Sequence, residues 1–252
     1  MRRFRLRLGS LLGIPLWIHV SWFAVLVLVV WTVTVEFGEV LPGLPVLERL
    51  SMAAITGVAF FGCLAVHEVA HAVVARRFGV RVKSITLFLF GGVAEIDGEL
   101  PTPGSEFAVA LAGPATSVAV GSALALAASI ADGLAWTGAE GVLFTLALVN
   151  LGVAVFNLVP GLPLDGGRIL RAAIWRGTGS FSRATRVAAA GGGVVSATLV
   201  AVGVVASVSG HPEGLWYVVM GVFIWFLARA AGRAVPPVQG GALALSGEGE
   251  AA

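Results

Sequence analysis

The sequence predicts an all-α polytopic membrane protein with six transmembrane helices and a small membrane-associated β element between the second and third. Three observations carry that expectation. Of 252 residues, 58% are hydrophobic and 12% charged, about half the roughly 25% charge of a soluble globular domain. Six apolar runs, near residues 15–35, 50–75, 107–130, 142–159, 187–208 and 215–231, approach the roughly 20 residues a helix needs to cross the hydrocarbon core. The basic residues then fall on one side of those spans. With the N-terminus inside, only Arg49 of the 16 Lys and Arg lies on the outer side, as expected when basic residues gather on the cytoplasmic face. An even number of spans puts both termini in the cytoplasm of a cell-membrane protein. The net charge of +2 follows from this topology and implies no nucleic-acid partner.

Span one follows the basic opening MRRFRLR. Its apolar part is too long for a secretory h-region and no A-x-A-like site follows, so it reads as a retained span. His19 falls within it, where a hydrogen bond to a neighbouring helix is the ordinary role and a part in substrate entry the functional one. Between spans two and three, RVKSITLFLFGGVAEIDGEL is too short to cross and rich in β-branched and aromatic residues, which predicts strand structure. It is either a hairpin at the cytoplasmic interface or an edge strand, near Ile85–Phe90, on which an extended substrate docks. In span three, Ala112-Gly113-Pro114 marks a kink. In span five, Gly191-Gly192-Gly193 lets helices approach closely or serves as a hinge. His211 lies on the outer side, away from any expected site. Residues 1–233 form one domain, without a fixed-period repeat, and 234–252 read as a disordered cytoplasmic tail. The single cysteine, Cys63, excludes an internal disulfide and reads as a packing residue one turn before His67.

The chemistry begins in span two with His67-Glu68-Val69-Ala70-His71. Residues four apart share a helix face, so both imidazoles can reach one metal, and the spacing suits zinc. Glu68 is placed to activate water on the metal without joining the coordination shell. A chance HExxH in a chain with 4 His is expected only about 0.003 times at this composition. His67 precedes Arg76 by nine residues, roughly 14 Å of helix, so the motif lies within the bilayer. A charge there costs roughly 2.5–3.5 kcal/mol, which makes such groups functional by default. A pair of interhelical hydrogen-bonding histidines would leave Glu68 without a role.

Two imidazoles fall short of the three protein ligands usual in a catalytic zinc site. After span four the sequence Asn157-Leu-Val-Pro-Gly-Leu-Pro-Leu-Asp165-Gly-Gly-Arg168 breaks the helix at its prolines, and irregular backbone at the membrane edge must line a cavity or pack on protein. Taken alone, Asp165 is equally a helix N-cap or a ligand. The HEVAH motif favours the ligand, since both lie at the cytoplasmic end of their spans.

HEVAH in the second span with NLVPGLPLDGGR after the fourth resembles the site-2 protease family of intramembrane zinc metalloproteases. The similarity extends to LLGIPLWIHVSWF, LFLFGGVAEI and Ala112-Gly113-Pro114, and so covers most of the chain. It implies a prokaryotic-type member without PDZ or CBS domains and one Zn2+ per chain on His67, His71 and Asp165. It implies catalysis by Glu68 and substrates that are transmembrane proteins in the lipid bilayer, such as anti-sigma-factor-like regulators. Asn157 would act near the site if the family pattern holds; an interhelical polar contact is the other reading. A zinc-binding transporter or scaffold without hydrolysis is the competing function. It predicts polar residues spread over several spans, whereas here they concentrate at one depth.

Overall fold

The structure, a computed structural model, describes residues 4–88 and 91–234. Its elements run β1 (Arg5–Leu11), β2 (Ile14–His19), α1 (Ser21–Val40), α2 (Val46–Arg77), β3 (Arg81–Phe88), β4 (Gly91–Asp97), α3 (Pro103–Gly133), α4 (Thr137–Asn157), α5 (Asp165–Thr178), α6 (Phe181–Val208) and α7 (Gly214–Arg233). Six of the seven helices are long and apolar enough to span a membrane, α5 being the exception. The protein is a multi-pass membrane protein of the architecture expected. The tail expected over 234–252 lies outside the described residues beyond Ala234, as does Phe90.

The first span is shorter at its N-terminal end than the sequence suggests. Residues 14–19 form β2, paired antiparallel with β1 and parallel with β3, and α1 begins only at Ser21. The apolar run IPLWIH flows into the span without a polar break, and periodicity alone cannot separate a buried strand from the start of a helix. His19 therefore sits at the end of a strand. Its Nδ1 lies 2.8 Å from Ser21 Oγ and accepts from the Ser21 N–H at 3.2 Å, fastening the entry to α1. Among the described residues it makes no interhelical bond of the kind expected.

The four strands lie in the order β1-β2-β3-β4, with β3–β4 antiparallel. This order makes β3 an interior strand, flanked on both sides, so the expected docking edge near Ile85 has no free ladder. The free edge beside the helices is β4. One face of the sheet is buried on the C-terminal half of α2, where Ile14, Ile18, Ile85 and Leu87 share a core with Phe61, Ala65, Val69 and Ala72.

Helix α2 is the centre of the bundle. Of its apolar window 39% is buried, against 11% for α1, which therefore presents most of its surface to lipid. Its 32 residues, roughly 48 Å at 1.5 Å per residue, exceed the roughly 30 Å hydrocarbon core. The excess emerges at Arg76 and Arg77, whose charges complement the helix C-terminus. Helix α3 starts at a capping box: Thr102 Oγ1 accepts from the Ser105 N–H and Ser105 Oγ from the Thr102 N–H, both at 3.1 Å. It then continues as one helix through Pro114.

Candidate metal centre

Helices α2 and α5 bring the expected ligands together. His67 and His71 share one face of α2, and Asp165 opens α5. Their relative exposures are 2%, 4% and 7%. His71 Nε2 lies 3.2 Å from His67 Nε2 and 3.1 Å from Asp165 Oδ2, and His67 Nε2 lies 3.3 Å from the same oxygen. Among the described residues this is the one group of three His, Cys, Asp or Glu whose ligand atoms converge, all within 4.8 Å. Cys63 is no part of it. Asp165 is not a cap: Leu164 holds the N-cap position, without a side-chain bond to the helix, and Asp165 is the first helical residue.

The chemistry of these donors fits a metal. His71 Nδ1 donates to the Val109 carbonyl at 2.7 Å, so in a neutral imidazole its Nε2 carries the lone pair. That lone pair points at a carboxylate oxygen and a second imidazole nitrogen, an arrangement that a cation in their midst would satisfy. Bonds of 2.0–2.1 Å in a tetrahedral zinc site separate neighbouring ligand atoms by about 3.3–3.4 Å, close to the three distances found. His67 Nδ1, 2.9 Å from Ser117 Oγ, is likewise occupied on the far side of its ring. The cluster is poised to hold one divalent ion, consistent with one zinc per chain. Arg168 Nη1 stands 3.8 Å from Asp165 Oδ1, a neighbouring cation that favours the carboxylate form a metal ligand must have.

Glycine permits the close packing around this centre. A Cβ on Gly113 would fall on the Nε2 atoms of both histidines, so α3 can lie against the cluster only where this side chain is absent. Gly113, within the Ala112-Gly113-Pro114 segment expected to kink, thus has a steric role. Gly191 and Gly192 serve in the same way, letting α6 approach the backbone of Pro160–Leu162, which favours close packing over a hinge.

Glu68 packs against β4, where a Cβ on Gly92 would strike its Cγ, Cδ and Oε1. It lines a cleft of about 620 Å³ together with His67, Asn157, Pro163, Gly91–Val93 of β4 and apolar side chains of α1, α4 and α7. Asn157 contributes to this wall, its Nδ2 donating to Val153 O of its own helix at 3.0 Å instead of bridging helices. His211 pairs with Glu213 at 3.2 Å on the exposed α6–α7 turn.

Sequence reasoning passed over Glu106, Val109 and Ser117. Each is buried on one face of α3 behind the metal cluster. Ser and Ala look alike in an apolar helix, and Glu106 resembles an ordinary first-turn acid. The signal available was the run Glu106, Val109, Gly113, Ser117, with successive steps of three, four and four residues.

Comparison with known proteins agrees with this geometry. The model of peptidase family M50 matches residues 55–133 and 127–202, and the chain belongs to that family. Rip3 of Mycobacterium tuberculosis is 41% identical over 224 residues, covering 88% of this chain and 57% of the relative. The Synechocystis protein sll0528, named as a zinc metalloprotease, is 37% identical over 238 residues, covering 93% and 60%. The chain thus spans about three fifths of the length of the curated relatives it matches. Among solved structures, the site-2 protease from Methanocaldococcus jannaschii superposes with a TM-score of 0.62 at 25% identity, over 93% of this chain and 98% of the other.

Proposed function

We propose that this chain is an intramembrane zinc metalloendopeptidase that hydrolyses peptide bonds in or beside the transmembrane segments of other membrane proteins. The observation that carries the reading is the convergence of His67, His71 and Asp165, the first of which lines an apolar cleft that also holds Glu68. His67, His71 and Asp165 hold the ion. Zinc bound there supplies a Lewis acid and lowers the pKa of water toward neutrality. Glu68 accepts the proton that water gives up and returns it to the leaving amine. The apolar walls from α1, α4 and α7 receive a membrane-embedded chain, which must locally unwind because its amides are otherwise bonded within the helix. Edge strand β4 runs past Glu68 and offers the unwound segment a free ladder.

The lopsided count of basic residues supports cytoplasmic termini and a zinc site opening toward the cytoplasm. Substrates of the anti-sigma-factor kind would release their products there. Reconstituted in liposomes with a single-span reporter, the protein is expected to cut it. Chelation should abolish cleavage and stoichiometric zinc restore it. Cleavage that survives complete zinc removal would rule the reading out.

A further inference from the structure

Behind the metal cluster lies a second set of charges that the mechanism above does not use. Glu106, in the first turn of α3, is 3% exposed. Burying a carboxylate is costly unless it is paired and hydrogen-bonded, and here two guanidinium groups share its Oε1. Arg168 Nε donates to it at 3.2 Å, and Arg171 Nη2 donates to it as well. Arg168 also reaches the other way, its Nη1 standing 3.8 Å from Asp165 Oδ1. The Asp165 carboxylate is thereby divided: Oδ2 faces the imidazoles and Oδ1 faces Arg168.

We propose that Arg168, clamped by Glu106, is a positioning residue that fixes the Asp165 carboxylate, and that one face of α3 thereby orients every protein ligand of the centre. The inference rests on the ligand assignment given under Proposed function. His67 is held by Ser117 Oγ, His71 by Val109 O, and Asp165 through Arg168 by Glu106. Glu106, Val109, Gly113 and Ser117 recur at helical spacing on the face of α3 turned to the cluster. Partners of this kind set ring and carboxylate orientation, and losing one typically weakens metal binding 10–100-fold. A mere counter-charge would act oppositely, since a cation beside a metal site repels the metal.

The test is zinc affinity of the purified full chain, measured by competition with a chromophoric chelator, together with the visible spectrum of the Co2+ form. Arg168→Lys keeps the charge but cannot span Glu106 and Asp165, while Glu106→Gln releases Arg168 from the other end. Both are expected to weaken zinc binding about 10–100-fold and to shift the Co2+ bands. Arg171→Lys disturbs the same buried pair without touching Asp165 and should change affinity by less than about threefold. Unchanged affinity in Arg168→Lys and Glu106→Gln would overturn the proposal, as would tighter binding in Arg168→Gln. Failure of the wild-type chain to bind zinc would instead overturn the ligand assignment itself.

Discussion

At the centre of this protein three ligand-type atoms from two helices, His67 Nε2, His71 Nε2 and Asp165 Oδ2, meet 3.1–3.3 Å from one another. A cation held among them would satisfy all three, and the far side of each imidazole is already occupied, by Ser117 or Val109. Gly113 is the residue on which the arrangement is most exposed to a small change. Gly113→Ala places a methyl group on both Nε2 atoms and should weaken zinc binding by at least about tenfold, in the range seen when support around a metal site is lost. Gly104→Ala on the same helix, where the added carbon meets only Thr102 Oγ1 at 3.9 Å, should leave it unchanged. Titration with zinc compares the two. His67, Glu68 and His71 are legible in the sequence because the four-residue spacing of a helix decides which side chains share a face. Asp165 is legible because prolines end the preceding helix before it. The pairing of Glu106 with Arg168 is not, since it joins residues 62 positions apart and nothing local marks either as a partner of the other.

Among the elements, the sheet departs most from what the sequence suggests. The six spans are readable because length and apolarity alone define them. The β1–β2 hairpin is not, because IPLWIH continues the apolarity of α1 and its parallel partner β3 lies more than sixty residues further along the chain. That unseen pairing turns β3 into an interior strand and leaves β4 as the edge beside Glu68. If β4 receives substrate, Val93, half exposed on the cleft wall, is the place to catch it. In a Cys63→Ala, Glu68→Gln background, Val93→Cys should form a disulfide with a substrate carrying one cysteine next to its cleavage site. Leu8→Cys on the opposite edge strand β1 should not. Equal crosslinking at both edges would remove β4 as the docking strand. Non-reducing gels of the co-reconstituted pair read the result.

For the molecule as a whole, α2 ties the sheet, the metal ligands and the bundle together, and the cleft between α1, α4 and α7 lies open beside it. Arg49, the one basic residue that the sequence-based topology leaves on the outer side, sits near the start of α2, so the α1–α2 turn should face away from the cytoplasm and both ends of the chain toward it. Reporter fusions after Arg233 and within 42–45 are expected to give opposite signals, the first cytoplasmic and the second external; the reverse pattern would invert the site. Membership of peptidase family M50 and the donor geometry both point to zinc, and in the proposed mechanism Glu68 is the residue that separates hydrolysis from mere metal binding. The direct measurement is therefore cleavage of a single-span substrate in liposomes by the Glu68→Gln variant, with its zinc content determined on the same preparation. Full zinc occupancy with cleavage reduced at least about 10²-fold, the lower end of what a positioned acid–base group contributes, is the result expected. Full occupancy with undiminished cleavage would contradict it.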